Sequence, residues 1–87
     1  MRRRLIVHGR VHGVGFRVFV ERAARARGLG GWVRNRPDGT VEVVVEGEPD
    51  AVESLARLCR EGPRGAAVAR VEVGAEPPEG LSGFSIR

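Results

Sequence analysis

The sequence contains no lysine, because all fifteen of its basic side chains other than histidine are arginines. Without lysine the chain cannot form a Schiff base with a carbonyl substrate, and it lacks the lysine of a nucleotide-binding P-loop. Glutamine is absent as well, and Asn35 is the only asparagine. Few thermolabile amides and many arginines and glutamates are typical of thermophilic proteins, although a GC-rich genome biases composition in the same direction.

Cysteine is limited to Cys59 and histidine to His8 and His12. One cysteine excludes an internal disulfide and any metal site built from several cysteines. Two histidines without a cysteine partner also argue against a structural zinc site. The sequence therefore predicts no bound metal, and we interpret Cys59 as a small core side chain.

Long apolar runs are missing too. No window approaches the roughly 20 apolar residues of a membrane span, and Leu5-Ile6-Val7 behind the basic N-terminus is too short for a signal peptide. We therefore expect a cytoplasmic protein without a membrane partner. The net charge of +4 permits an anionic partner, but arginine–glutamate pairs on solvated faces explain it more simply.

Residues 7–17 read VHGRVHGVGFR, a pattern typical of a strand end, a glycine-rich loop and a helix that starts near Phe16. Glycines let the backbone approach a ligand closely, and the helix start directs its unpaired N–H groups and positive dipole end toward the same point. With the Arg17 guanidinium, such a loop can hold a phosphate. Similar loops also occur simply as tight turns, so this segment alone does not decide the function.

The hydrophobic pattern predicts seven elements. Strands are expected at 4–11, 31–36, 40–47, 68–73 and 84–86, and helices at 16–27 and from 48–50 to a stop at 62–65. A turn at 37–39 makes a hairpin of the second and third strands. In the third strand the valines at 41, 43 and 45 face one way, and Glu42, Val44 and Glu46 face the other.

The order β-α-β-β-α-β with a short additional C-terminal strand is the ferredoxin-like plan. It is an α+β sandwich with two helices on one face of an antiparallel sheet. Right-handed crossovers place the first and third strands side by side in the middle. RNA binders, metal carriers, regulatory modules and enzymes all use this plan, so the fold does not assign a function.

Two separated stretches closely resemble the two signatures of the acylphosphatase family. The first is Val7-x-Gly9-x-Val11-x-Gly13-Val14-x-Phe16-Arg17, and the second is Gly31-Trp32-Val33-Arg34-Asn35, followed by Gly39-x-Val41 and Gly47. Both lie at the family's expected places, and length and element order fit over essentially all 87 residues. We therefore expect a single acylphosphatase-like domain over residues 1–87.

The resemblance implies a hydrolase that splits acyl phosphates, which are carboxyl-phosphate mixed anhydrides, into a carboxylate and inorganic phosphate. It implies that no metal or other cofactor takes part and that the enzyme is a monomer with a small-molecule substrate. Arg17 and Asn35 are the implied catalytic residues: the arginine binds the phosphoryl oxygens and the asparagine orients the attacking water. The implied phosphate-binding loop consists of His12, Gly13, Val14, Gly15, Phe16 and Arg17.

The chain departs from the family at position 12, which is usually glutamine and here is His12. The backbone N–H of His12 can still bind phosphate, and we interpret the ring as a loop-ordering group, with a direct catalytic role as the alternative. No other side chain offers itself as a general base, since Asp38 lies in a turn and Asp50 at a helix start. His8 is predicted to be an exposed strand residue and Trp32 a packing residue.

Two other functions stay open. The same loop can belong to a non-catalytic module that binds phosphate or carbamoyl phosphate, although such a module has no use for a water placed by Asn35. The fold also hosts RNA readers, which stack bases on aromatic side chains. This chain has only Trp32 and three phenylalanines, two of them on the apolar face of the first helix, so we expect no nucleic-acid partner.

Overall fold

The computed structural model describes residues 1–87 as five strands and two helices. The elements are β1 (Arg2–Arg10), α1 (Phe16–Ala26), β2 (Gly30–Asn35), β3 (Val41–Glu46), α2 (Pro49–Glu61), β4 (Ala67–Ala75) and β5 (Phe84–Ile86). Every predicted element is present, with ends that differ from the prediction by at most two residues. Neither helix is long and apolar enough to span a bilayer.

The strands form one sheet in the order β4-β1-β3-β2-β5. β1 and β3 lie side by side at the centre of the four long strands, which pair only antiparallel, as predicted. β5 instead runs parallel to β2, so the complete sheet is mixed. The reason is geometric: β4 ends at the end of the sheet where β2 begins. A chain that crosses that end therefore enters the far edge parallel to β2.

The core lies between the two helices and one face of the sheet. It is formed by alternate strand residues and by the inward stripes of the helices, among them Leu5, Val7, Val33, Val43, Phe16, Val20, Val52, Leu55 and Cys59. Burial raises the pKa of the Cys59 thiol to about 12. A buried thiol with so high a pKa is not a nucleophile at neutral pH, which agrees with its interpretation as a core side chain.

The other face of the sheet carries no helix, yet Glu42, Val44 and Glu46 of β3 are buried there. Arg4 and Arg34 flank Glu42 from the neighbouring strands, and each donates a hydrogen bond of 2.5 Å to its carboxylate. Long arginine stems cover apolar surface while their charged ends reach a partner. The alternation in the sequence thus predicts the faces of β3 correctly, but the burial of the charged face depends on neighbouring strands.

Candidate functional site

The segment between β1 and α1 forms a loop at one end of the sheet. Gly13 and Gly15 in this loop have φ angles of 72° and 75°, a region that costs an L-residue about 1–2 kcal/mol. A Cβ added at either position would meet nothing within 4 Å. The backbone conformation, and not crowding, therefore requires glycine here.

The loop presents a run of unpaired backbone donors. None of the N–H groups of residues 12–15 donates a hydrogen bond within the protein. The N–H of Phe19 donates to the Gly15 carbonyl at 3.0 Å, so the three N–H groups of residues 16–18 that open α1 precede its first backbone bond. No side chain caps this helix, and its first turn contains no acidic residue. The donors and the positive end of the helix dipole are thus available to an anion.

Arg17 is the second residue of α1, and its side chain is exposed. It takes part in none of the protein's ion pairs or side-chain hydrogen bonds, whereas Arg25 on the same helix pairs with Glu21 at 3.3 Å. A cation in the first turn of a helix is mildly unfavourable because of the helix dipole. An anion between the guanidinium and the loop removes that penalty, so the position suits anion binding.

Asn35 is the last residue of β2, at the end of the sheet that carries the loop. Its Cα pairs with Val41, which in turn pairs with Val7 of β1. Alternation along β2 places Asn35 on the face of Val33, which is the face covered by the helices. Its Oδ1 is buried and has no hydrogen-bond partner within the protein. Such acceptors are uncommon, because leaving one unpaired costs about 1–3 kcal/mol.

The ring of His12 connects the loop to the hairpin that contains Asn35. Its Nε2 lies 2.9 Å from the carbonyl oxygen of Thr40, and because a carbonyl only accepts, the ring N–H must donate. The same oxygen accepts the backbone N–H of Arg36, also at 2.9 Å. A loop-ordering role for His12 requires a contact of this kind, and that role stays a prediction.

Asp38 fixes the turn of the hairpin. Its Oδ1 accepts the hydroxyl of Thr40 at 2.6 Å and the backbone N–H of Thr40 at 3.0 Å. These hydrogen bonds hold the pKa of Asp38 below its ordinary value. The carboxylate is therefore a weak base. The sequence indicates the turn but does not show that Thr40 donates to Asp38, because an Asp-Gly-Thr run does not specify which hydrogen bonds its side chains make.

Two further residues that the sequence singles out lie on the helix-free face. His8 is half-buried rather than exposed, with its Nε2 2.5 Å from the Glu72 carboxylate on β4. The guanidinium groups of Arg87 and Arg34 lie 4.5 Å and 5.9 Å from the centroid of the Trp32 ring. The Trp32 ring is thus already in contact with cations of the protein itself, which favours a packing role for Trp32 over stacking on a ligand.

The loop suits an anion and not a cation. Its donors are backbone N–H groups and a guanidinium, which do not ligate metals. No group of three His, Cys, Asp or Glu side chains anywhere in the protein could hold a metal ion. Fold and loop together define a ferredoxin-like α+β domain with a candidate anion site where β1 leads into α1.

Comparisons with known proteins narrow this class to a family. The model of the Acylphosphatase family matches residues 3–86. The acylphosphatase of Thermococcus kodakarensis is 55% identical over 86 residues, which cover 99% of this chain and 94% of that relative. The crystal structure of acylphosphatase from Bacillus subtilis matches with a TM-score of 0.95 and 42% identity, over 99% of this chain and 97% of that one. The chain belongs to the acylphosphatase family.

Membership makes the chain a hydrolase that acts on acid anhydrides, with acyl phosphate hydrolysis as its general reaction and a small-molecule acyl phosphate as substrate. It also confirms the ferredoxin-like α+β fold predicted from the order of elements. A crystal structure of full-length HypF matches 99% of this chain with a TM-score of 0.92 and 31% identity, but over only 11% of that protein. The same domain fold therefore also occurs within a much longer chain.

Proposed function

We propose that the chain hydrolyses acyl phosphates by in-line attack of water on a phosphoryl group held by the loop of residues 12–17. The unpaired backbone N–H groups of this loop carry the proposal. A phosphoryl group in transfer keeps its negative charge on three equatorial oxygens, so fixed donors and one guanidinium stabilise it without covalent chemistry. Arg17 supplies that guanidinium from the first turn of α1.

In this proposal, Asn35 places the water. Its buried Oδ1 has no partner within the protein, so it can accept a hydrogen bond from water and direct the oxygen lone pair toward phosphorus. Positioning the nucleophile converts a bimolecular encounter into a unimolecular step and so raises the rate. This increase in rate requires no charge on the group that positions the water. A neutral amide therefore suits the role better than a carboxylate, which would repel the substrate.

The reaction as proposed uses no protein base and no metal. Asp38, the carboxylate nearest to Asn35 in the sequence, accepts two hydrogen bonds from Thr40, and its pKa is lowered by them. The departing carboxylate is a good leaving group that needs little protonation, and a phosphate oxygen can take the proton of the water. All proposed site residues come from one chain, so we propose that residues 1–87 act as a single domain and a monomer.

The direct test is phosphate release from benzoyl phosphate by the purified chain in the presence of a chelator. We expect turnover, and we expect Arg17→Gln to lower kcat/KM about 100-fold or more, because one donor to developing charge is removed. Arg57→Gln is the matched control, since Arg57 is exposed and forms no ion pair. It should retain full activity.

Absence of turnover, or an Arg17→Gln variant as active as Arg57→Gln, would contradict this mechanism. Saturable phosphate binding without hydrolysis would instead favour the non-catalytic module that binds phosphate or carbamoyl phosphate. Isothermal titration with inorganic phosphate separates the two cases, because it reports binding independently of turnover.

A further inference from the structure

An apolar cleft opens beside the phosphate loop, and no step of the proposed reaction uses it. Its volume is about 500 Å³, and it is lined by Val18, Phe19, Arg22, Ala23 and Pro63. Val18 is 43% exposed and is one of three large apolar side chains exposed in the whole protein. A solvent-facing valine in the turn that follows Arg17 has no evident structural purpose.

The cleft begins at Val18, the residue that directly follows the loop in the chain. Val18 is two residues beyond the start of α1, which is about 3 Å along the helix axis, and Arg22 follows on the same face one turn later. The opposite wall belongs to the segment that follows α2. A Cβ at Gly62 would lie 3.1 Å from the Phe16 ring, and a Cβ at Gly65 would lie 4.0 Å from Val14. This segment therefore packs directly against residues of the loop.

Only a bridging oxygen separates the acyl carbon of the substrate from phosphorus, so the acyl group must lie next to the loop that holds the phosphate. We propose that the cleft binds this acyl group and that Val18 determines specificity for acyl phosphates with an aromatic group. The inference rests on the proposed function. A volume of about 500 Å³ falls within the range of small-molecule sites and exceeds what an acetyl group can fill.

Arg22 gives the reason for an aromatic group in particular. Its guanidinium takes part in no ion pair or side-chain hydrogen bond and lines the cleft together with the side chains of Val18 and Phe19. A guanidinium over an aromatic ring contributes an attraction that an aliphatic or acetyl group cannot receive. An aromatic acyl group can therefore contact apolar side chains and a cation at the same time.

The test compares benzoyl phosphate with acetyl phosphate for Val18→Ser. We expect the ratio of their kcat/KM values to fall about fivefold relative to the unmodified chain, since about two methyl-sized contacts are lost at a partly exposed site. The inhibition constant of inorganic phosphate should not change, which shows that the loop is intact. Val73→Ser is the matched control and should leave the ratio unchanged, because Val73 is 46% exposed and lies toward the end of β4 that is away from the loop.

An unchanged ratio in Val18→Ser, with both substrates still hydrolysed, overturns the acyl cleft and leaves the proposed function standing. An equal fall in Val73→Ser also overturns it, because the effect would then not be local. If the unmodified chain hydrolyses neither substrate, the proposed function and this inference fall together.

Discussion

At the scale of single residues, the protein holds three of the proposed site's side chains in different ways. Arg17 is exposed and unpaired, Asn35 is half-buried with an unpartnered Oδ1, and His12 is hydrogen-bonded to the Thr40 carbonyl. In the proposed mechanism these states suit three separable tasks: binding charge, placing water and fixing the loop. Substitutions at Asn35 and His12 can therefore be distinguished by which kinetic constant they change.

Asn35→Ala should lower kcat about 100-fold and leave the inhibition constant of phosphate within about twofold, because water placement matters only in the reaction. The free energy of unfolding should change by less than about 1 kcal/mol, since the substitution also removes a buried unpaired acceptor. Steady-state kinetics measure kcat and the inhibition constant, and urea unfolding measures the free energy of unfolding. A variant that loses stability but keeps its kcat would show that Asn35 is merely a structural residue at a strand end.

His12→Ala removes the hydrogen bond that connects the loop to the hairpin, and kcat should fall about tenfold. Phosphate affinity should fall less than kcat. The loop donors would keep their positions relative to one another and still bind phosphate, but the loop as a whole would shift relative to Asn35. His12→Gln is the control: glutamine keeps an N–H donor and should retain most of the activity. If the Gln and Ala variants lose activity equally, the ring itself takes part in the reaction.

At the scale of elements, the proposed site lies where several strand ends meet at one end of the sheet. β1 and β2 end there, β3 begins there, and α1 starts from the loop that follows β1. The loop and Asn35 therefore lie at the same end of the sheet, although α1 and most of β2 separate them in sequence. Gly15, which directly precedes α1, has a φ angle of 75°, a conformation that glycine adopts at low cost.

Gly15→Ala tests whether the loop conformation matters for binding. Gly15 and Gly28 have φ angles of 75° and 67°, and an added Cβ has open space at both. Each substitution should therefore destabilise the protein by about 1–2 kcal/mol. Only Gly15→Ala should weaken phosphate binding, by about tenfold or more, as measured by calorimetric titration. Equal phosphate affinities in the two variants would show that the loop backbone does not bind the ligand.

At the scale of the whole molecule, arginine–carboxylate pairs cluster on the helix-free face of the sheet. Glu42 lies between two arginines, and Glu46 accepts the backbone N–H groups of Glu79 and Leu81 close to Arg2. The pKa values of Glu42, Glu46 and Glu72 all lie below the ordinary value. Ion pairing on the helix-free face therefore accounts for part of the arginine content of this chain.

Glu42→Gln should reveal this pairing through acid stability. Burial raises the pKa of Glu42, but hydrogen bonds from Arg34 and Arg4 outweigh burial, and the net pKa lies below 4.5. The folded protein therefore binds fewer protons at this group than the unfolded chain does. Its stabilisation is present above pH 4.5 and is lost as the pH falls through the folded pKa.

We expect Glu42→Gln to lower the free energy of unfolding by about 2 kcal/mol at neutral pH, because two arginines lose a buried partner. The difference from the unmodified chain should shrink as the pH falls below 4.5. Urea denaturation across the pH range measures it, with Glu53→Gln as control, since Glu53 is exposed and unpaired. If the difference in the free energy of unfolding did not depend on pH, the charge of the Glu42 carboxylate would not be the cause of its contribution to stability.

The sequence by itself determined the order of elements, the hairpin turn, the core stripes and the glycine loop. These features depend on local physics: the periods of strands and helices, and backbone angles that glycine adopts at low cost. Family signatures at the loop and at Asn35 also lie within short stretches. Such information survives in a linear string because it involves residues close together in the chain.

Only the tertiary structure decided the parallel pairing of β5, the burial of Glu42, the contact of His12 with Thr40 and the cleft beside Val18. Each joins segments far apart in sequence, such as residues 28 positions apart for His12 and Thr40. Strand register and helix packing set those distances jointly over the whole chain. A periodic pattern shows which face a residue occupies, but not which side chain lies opposite to it.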